Sequence, residues 1–181
     1  MDYSEVKKLQ IKNELNEWDK RIGVTTDGMN SAIERWRRLG DAGFHIESLV
    51  INAQMVEHSI KMILAGYAAK RRVLAILDET DPFADVKIDD IEEQTLGTLI
   101  NRLRRFTGQT PFIENATRLN NFRTEIVHHL FNGNKEIDKL DAESHAFIGT
   151  VVPQISQQVK GAAHKIDDEI KELVPKTKNP S

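Results

Sequence analysis

The chain has 181 residues, 39% of them hydrophobic and 29% charged, with no cysteine, a net charge of −3 and a mean hydropathy of −0.46. This length suits one domain with a real core, the balance excludes a disordered polyelectrolyte, and the lack of cysteine excludes disulfides, thiolate nucleophiles, zinc ribbons and iron–sulfur sites. A pI near 6.1 argues against coating nucleic acid through bulk positive charge, while residues 1–8 show no signal pattern and no run approaches the roughly 20 apolar residues of a membrane span, so a soluble, cytoplasmic protein is expected.

Residues 2–22 repeat apolar positions at helical spacing (Val6, Leu9, Ile11, Leu15, Trp18, Ile22), with Gly23 as the predicted stop. Residues 25–30 read as a turn-rich connection, followed by a short helix carrying Ile33, Trp36 and Leu39. From Phe44 to about Leu77 an apolar pattern runs without proline, and its one glycine, Gly66, costs about 1 kcal/mol relative to alanine without ending the helix. Residues 78–90 form an acidic loop, and Asp89 or Asp90 can cap a helix running to Phe106. Thr110-Pro111 restarts a helix with a cap and a proline in its first turn, and Gly133 ends it. A last helical stretch covers residues 137–174, with Pro153 expected to kink or split it. The pattern predicts an all-α fold, a helix bundle of four to six helices with one long central helix, in a single domain over residues 1–175 with a disordered tail at 176–181.

Charge is unevenly spread. Eight acidic residues between 78 and 93 stand against Lys87, whereas five arginines between 95 and 131 (Arg102, Arg104, Arg105, Arg118, Arg123) stand against Glu114 and Glu125. Two readings stay open: a solvated acidic linker beside an ordinary basic helix pair, or a local positive cleft able to hold one phosphodiester.

On a helical wheel of residues 111–131, Leu119, Phe122, Ile126 and Leu130 share one stripe, the predicted core face. Arg123 lies at its edge, where a guanidinium needs a carboxylate, phosphate or water to satisfy its donors. His128 points away from that stripe with Asn121, and Thr124 is its neighbour one turn back. Arg123 and His128 stand about 140° apart, so they converge only across a cleft between helices. Spacing alone favours the plainer reading, a salt-bridged arginine at the core edge plus an exposed histidine.

The segments Thr95-Leu-Gly-Thr-Leu-Ile100 and Leu119-Asn-Asn-Phe-Arg-Thr-Glu-Ile-Val-His-His-Leu-Phe131, with Val56-Glu-His-Ser-Ile-Lys61 on the long helix before them, resemble the HEPN superfamily, whose signature is arginine, four to six residues, then histidine on a late helix. The similarity covers about residues 44–131, with residues 2–39 and 137–174 as flanking helices. It implies a bundle that forms a homodimer through the motif helix, so that two Arg/His sets build one composite cleft. In catalytic members that cleft is a metal-independent endoribonuclease. Carried over, His128 moves protons and Arg123 holds the scissile phosphate, with Asn121, Thr124 and His129 as supporting residues. Histidine's ordinary pKa near 6.5 suits proton transfer at neutral pH, and arginine offers a fork to phosphate oxygens. No cofactor and no metal are implied, and the expected partners are a second copy, RNA or a nucleotide, and a protein antitoxin in a defence or toxin–antitoxin system. Active members usually carry Asn, Asp or His after the arginine, where this chain has Thr124; Leu130 replaces the tyrosine of the subfamily paired with nucleotidyltransferase antitoxins.

Elsewhere the expectations are plain. His129 reads as a packing or interface residue, and His45, His58, His145 and His164 as scattered histidines without ligand spacing. The clusters at 35–38 and 70–72 read as solvated basic faces, and residues 167–169 as a charge run. The rival to a ribonuclease is a non-catalytic interaction module on the same dimeric fold.

Overall fold

A computed structural model describes residues 3–88, 90–133 and 135–173. Five α-helices follow one another: α1 (Tyr3–Asp41), α2 (His45–Ile76), α3 (Leu96–Thr107), α4 (Pro111–Asn132) and α5 (Ile137–Lys171), with a single 3₁₀ turn at Ile91–Glu93 before α3. Among the described residues no strand occurs and no helix is long and apolar enough to cross a membrane. The protein is an all-α helix bundle. The predicted tail at 176–181 lies outside the described residues.

Side-chain pairs fix how the helices run. Lys7 reaches Asp78 and Arg72 reaches Glu14, each at 2.6 Å, so α1 lies antiparallel to α2. His45 meets Asp141 near the start of both helices, and Lys70 meets Glu169 near their ends, so α5 runs parallel to α2. Phe122 stacks on Phe147 at 4.5 Å while Asn115 donates to Gln158 at 3.2 Å, which sets α4 antiparallel to α5. α2 is the central element: its Leu49, Ile60, Ile63 and Leu64 are fully buried among Trp18 of α1, Leu99 of α3, Leu119 of α4 and Ile166 of α5. It is not alone in length, since α1 and α5 span 39 and 35 residues against its 32.

Three local expectations are corrected. The predicted stop at Gly23 and turn at 25–30 are absent, and α1 continues through both Gly23 and Gly28. Two interior glycines cost about 2 kcal/mol relative to alanine, a small penalty beside the packing of a long helix against α2. Of the kink or split expected at Pro153 it is the split that is absent, since α5 stays helical to Lys171. The cap of α3 is Thr95, whose Oγ1 accepts from the N–H of Thr98 at 3.5 Å. Asp90 instead takes a left-handed conformation (φ 60°) before the 3₁₀ turn, and Asp89 lies outside the described residues. The α4 signals hold: Thr110 accepts from the N–H of Ile113, Pro111 opens the helix and Gly133 closes it at φ 63°.

The basic run 70–72 is not a solvated face either. Lys70 pairs with Glu169 of α5 at 2.7 Å and Arg72 with Glu14 of α1 at 2.6 Å. Between them Arg71 spends its fork on the acidic loop, donating to Asp81 Oδ2 at 2.5 Å, to the Val86 carbonyl at 3.0 Å and to the Phe83 carbonyl. The acidic segment is thereby tied down, with Val86 and Ile88 buried against the core. Within the charge run at 167–169, Asp167 accepts from Trp18 Nε1 at 3.3 Å and Glu169 takes Lys70.

Candidate functional site

The length of α3 decides what α4 exposes. Gly97 in the first turn of α3 lies against Asn120 of α4, where an added Cβ would sit 3.4 Å from Asn120 Nδ2, and Arg104 reaches Thr117 Oγ1 at 3.4 Å. α3 therefore begins opposite Asn120, and the last three turns of α4 project past it. Up to that level the inward stripe is closed, with Ile113, Ala116 and Leu119 fully buried. Beyond it only Ile126 stays buried, whereas Val127, Leu130 and Phe131 are 39%, 44% and 87% exposed. Leu130, predicted on the core face, is thus a correction. Leu130 instead lines an open groove with Gly133, Lys135 and Ile137 at the α4–α5 turn.

Arg123 and His128 both stand on this uncovered stretch. Arg123 is half-buried at the edge of the inward stripe, and among the described residues no hydrogen bond or ion pair engages its guanidinium. His128 is exposed and likewise without a partner, as is Asn121. The two motif residues keep the angular separation of the helix, and within one copy no neighbouring helix brings them together. Thr124 is exposed, and its hydroxyl donates to the Asn120 carbonyl one turn back at 2.8 Å, the usual alternative use of a helical threonine. His129 faces α5: its Nε2 lies 3.5 Å from Glu125 Oε1, and its Nδ1 is buried without a hydrogen-bond partner. Glu125 also meets Lys135 at 3.5 Å, and Lys135 meets Glu143 at 3.1 Å. Those carboxylates, Glu143 first, hold the Lys135 ammonium above its ordinary pKa.

Two grooves are lined by residues other than Arg123 and His128. A groove of about 470 Å³ at the α4–α5 turn is lined by His129, Leu130, Gly133, Lys135, Glu136 and Ile137. A larger one of about 960 Å³ opens between α1, α2 and the 3₁₀ turn, with Trp18, Arg21, Arg72 and Glu92 among its walls and no residue of α4. In one copy Arg123 is half-buried and His128 exposed on this stretch of α4.

One cluster was missed from sequence. His45 and His145, read as scattered, meet with ring centroids 4.3 Å apart, and Asp141 lies 2.6 Å from His45 Nδ1. Asp141 Oδ1 also accepts from the N–H groups of His45 and Ile46 at 2.9 and 3.2 Å, so α5 caps the start of α2, whose preceding residue Phe44 has no capping side chain. The four-residue spacing from Asp141 to His145 was the available signal, since it sets both on one face of α5. Comparisons with models of protein families, with curated proteins and with solved structures return no match.

Proposed function

We propose that the protein is a HEPN-type homodimer whose paired α4 helices form a metal-independent endoribonuclease site from Arg123 and His128. The observation that carries this reading is the stretch of α4 beyond α3, where an unpartnered guanidinium and an unpartnered imidazole share one uncovered surface with Val127, Leu130 and Phe131. Contiguous exposed apolar residues around polar ones mark an interaction site, and a closed two-fold dimer is the commonest way for one chain to cover such a surface.

In the cleft shared by two copies, one His128 imidazole takes the proton from an RNA 2′-hydroxyl as its oxygen attacks the adjacent phosphorus. The bond from phosphorus to the 5′-oxygen breaks, and the imidazolium of the other copy protonates that leaving oxygen. Arg123 binds the non-bridging oxygens through its fork and stabilises the charge that grows on them. The products are a 2′,3′-cyclic phosphate and a 5′-hydroxyl. No step draws on a metal, so cleavage of a labelled RNA panel is expected to persist in EDTA and to leave cyclic phosphate ends. Activity abolished by EDTA and restored by magnesium would assign the chemistry to other residues.

The second reading is a non-catalytic interaction module on the same dimeric fold, and Thr124 favours it. The side chain beside Arg123 spends its hydroxyl on the Asn120 carbonyl at 2.8 Å, which leaves it nothing to donate to a phosphate. A dimer that binds RNA without cutting it, or that cuts no RNA in a varied panel, selects this reading.

A further inference from the structure

Arg123, Val127 and Phe131 are spaced four residues apart and form a single ridge along α4, about 12 Å from end to end. Its composition is ordered: a cation without a partner at one end, an apolar residue in the middle, and at the other end an aromatic ring that is 87% exposed. Each end lacks what the other supplies. An arginine over an aromatic face is attracted by the ring quadrupole, but within one copy Arg123 and Phe131 are eight residues apart and cannot meet.

We infer that α4 packs against α4 of a second copy about a two-fold axis at Val127, so that Arg123 of each copy stacks on Phe131 of the other. The inference rests on the dimer proposed above and adds its register and a positioning residue. Val127 lies midway between the two ends, so an antiparallel pairing centred there sets both Arg–Phe pairs opposite each other at once. Two ridges of this four-residue kind pack at a crossing angle of about −50°, and nothing of α3 intrudes because α3 begins opposite Asn120. A second copy satisfies cation and ring together, whereas a foreign partner would have to bring both a ring and a cation at this separation. A guanidinium stacked by its face keeps its edge N–H groups free. Phe131 of the partner copy would therefore hold Arg123 in place without removing it from a phosphate.

The chain has no cysteine, so single-cysteine variants report this register cleanly. Val127→Cys is expected to form a disulfide-linked dimer under mild oxidation, because a bond requires the two Cα atoms to lie within about 7 Å. Asn121→Cys, six residues away and about 120° around the helix, is expected to stay unlinked. By sedimentation, Phe131→Leu should weaken the dimer roughly 5- to 30-fold through loss of two cation–π contacts, and Phe131→Tyr should restore it. The double variant Arg123→Leu/Phe131→Leu should be little weaker than either single change. A dimer that cross-links through position 121 and not 127, or one that Phe131→Leu leaves unchanged, overturns this register while the dimer itself stands. A monomer throughout the micromolar range overturns both.

Discussion

Asp141 Oδ2 and His45 Nδ1 lie 2.6 Å apart, joining the first turns of two parallel helices that begin 92 residues apart in sequence. Partial burial pushes the Asp141 carboxyl up, but hydrogen bonds from the His45 ring and from the backbone N–H groups of Ile46 and His45, with the His45 charge, outweigh it. The group is held below the ordinary carboxylate range. A depressed carboxylate stabilises the fold above its unfolded pKa of about 3.9, and that stabilisation is lost as pH falls through the folded value. Asp141→Asn keeps one acceptor oxygen and removes the charge. In urea unfolding it should cost about 1 kcal/mol near neutrality, a difference that closes as pH is lowered from about 5 to 3. A gap independent of pH would show that the charge of Asp141 contributes nothing.

At Gly66 of α2, side chains of α1 and α5 close in on the backbone. A Cβ there would lie 2.9 Å from Ile166 Cγ1 and 3.0 Å from Trp18 Cη2, and both side chains are buried. Alanine would gain about 1 kcal/mol of helix propensity and lose about 1–3 kcal/mol to overpacking. Gly66→Ala should therefore lower Tm by a few degrees. Gly23→Ala, where an added Cβ meets nothing within 4 Å, should raise it, and both changes can be read by circular dichroism.

Arg71 holds the 78–88 loop through three acceptors spread over Asp81, Phe83 and Val86. A lysine ammonium is a compact point charge and cannot reproduce a planar fork reaching three separate oxygens. Arg71→Lys is expected to speed hydrogen exchange and proteolysis in the loop almost as much as Arg71→Ala, at a cost of about 1–3 kcal/mol for carbonyls left unpaired. Full rescue by lysine would mean that charge alone anchors the segment.

What sequence made legible follows from the range of each signal. The caps at Thr110 and Gly133 act over three or four residues and are read directly, and the inward stripe of α4 follows from periodicity. The continuity of α1 depends on packing along α2, the value of Gly66 on Trp18 and Ile166, and the meeting of His45 with His145 on the parallel course of α2 and α5. None of these is encoded in a local window. At the candidate site the same limit applies: a wheel gives the side of Leu130, while its exposure depends on the packing at the α4–α5 turn. The spacing of Arg123 and His128, and the way Val127 and Phe131 extend the apolar arc of α4 towards His128, are legible because all four lie on one helix, whereas what packs over them is not encoded in that window.

The most direct test of the functional claim compares two adjacent histidines in one cleavage assay. Purified wild type, His128→Ala and His129→Ala are incubated with labelled structured RNA after folding is verified by circular dichroism and dimer by light scattering. His128 is exposed and unpartnered, so its loss should leave stability and assembly intact while slowing cleavage by about 10²–10⁴-fold, the usual cost of a missing general acid/base. His129, packed towards α5 beside Glu125, should lose about 1 kcal/mol of stability when truncated and retain most cleavage. Cleavage by His128→Ala as fast as wild type, or no cleavage by wild type on any RNA, would contradict the ribonuclease reading.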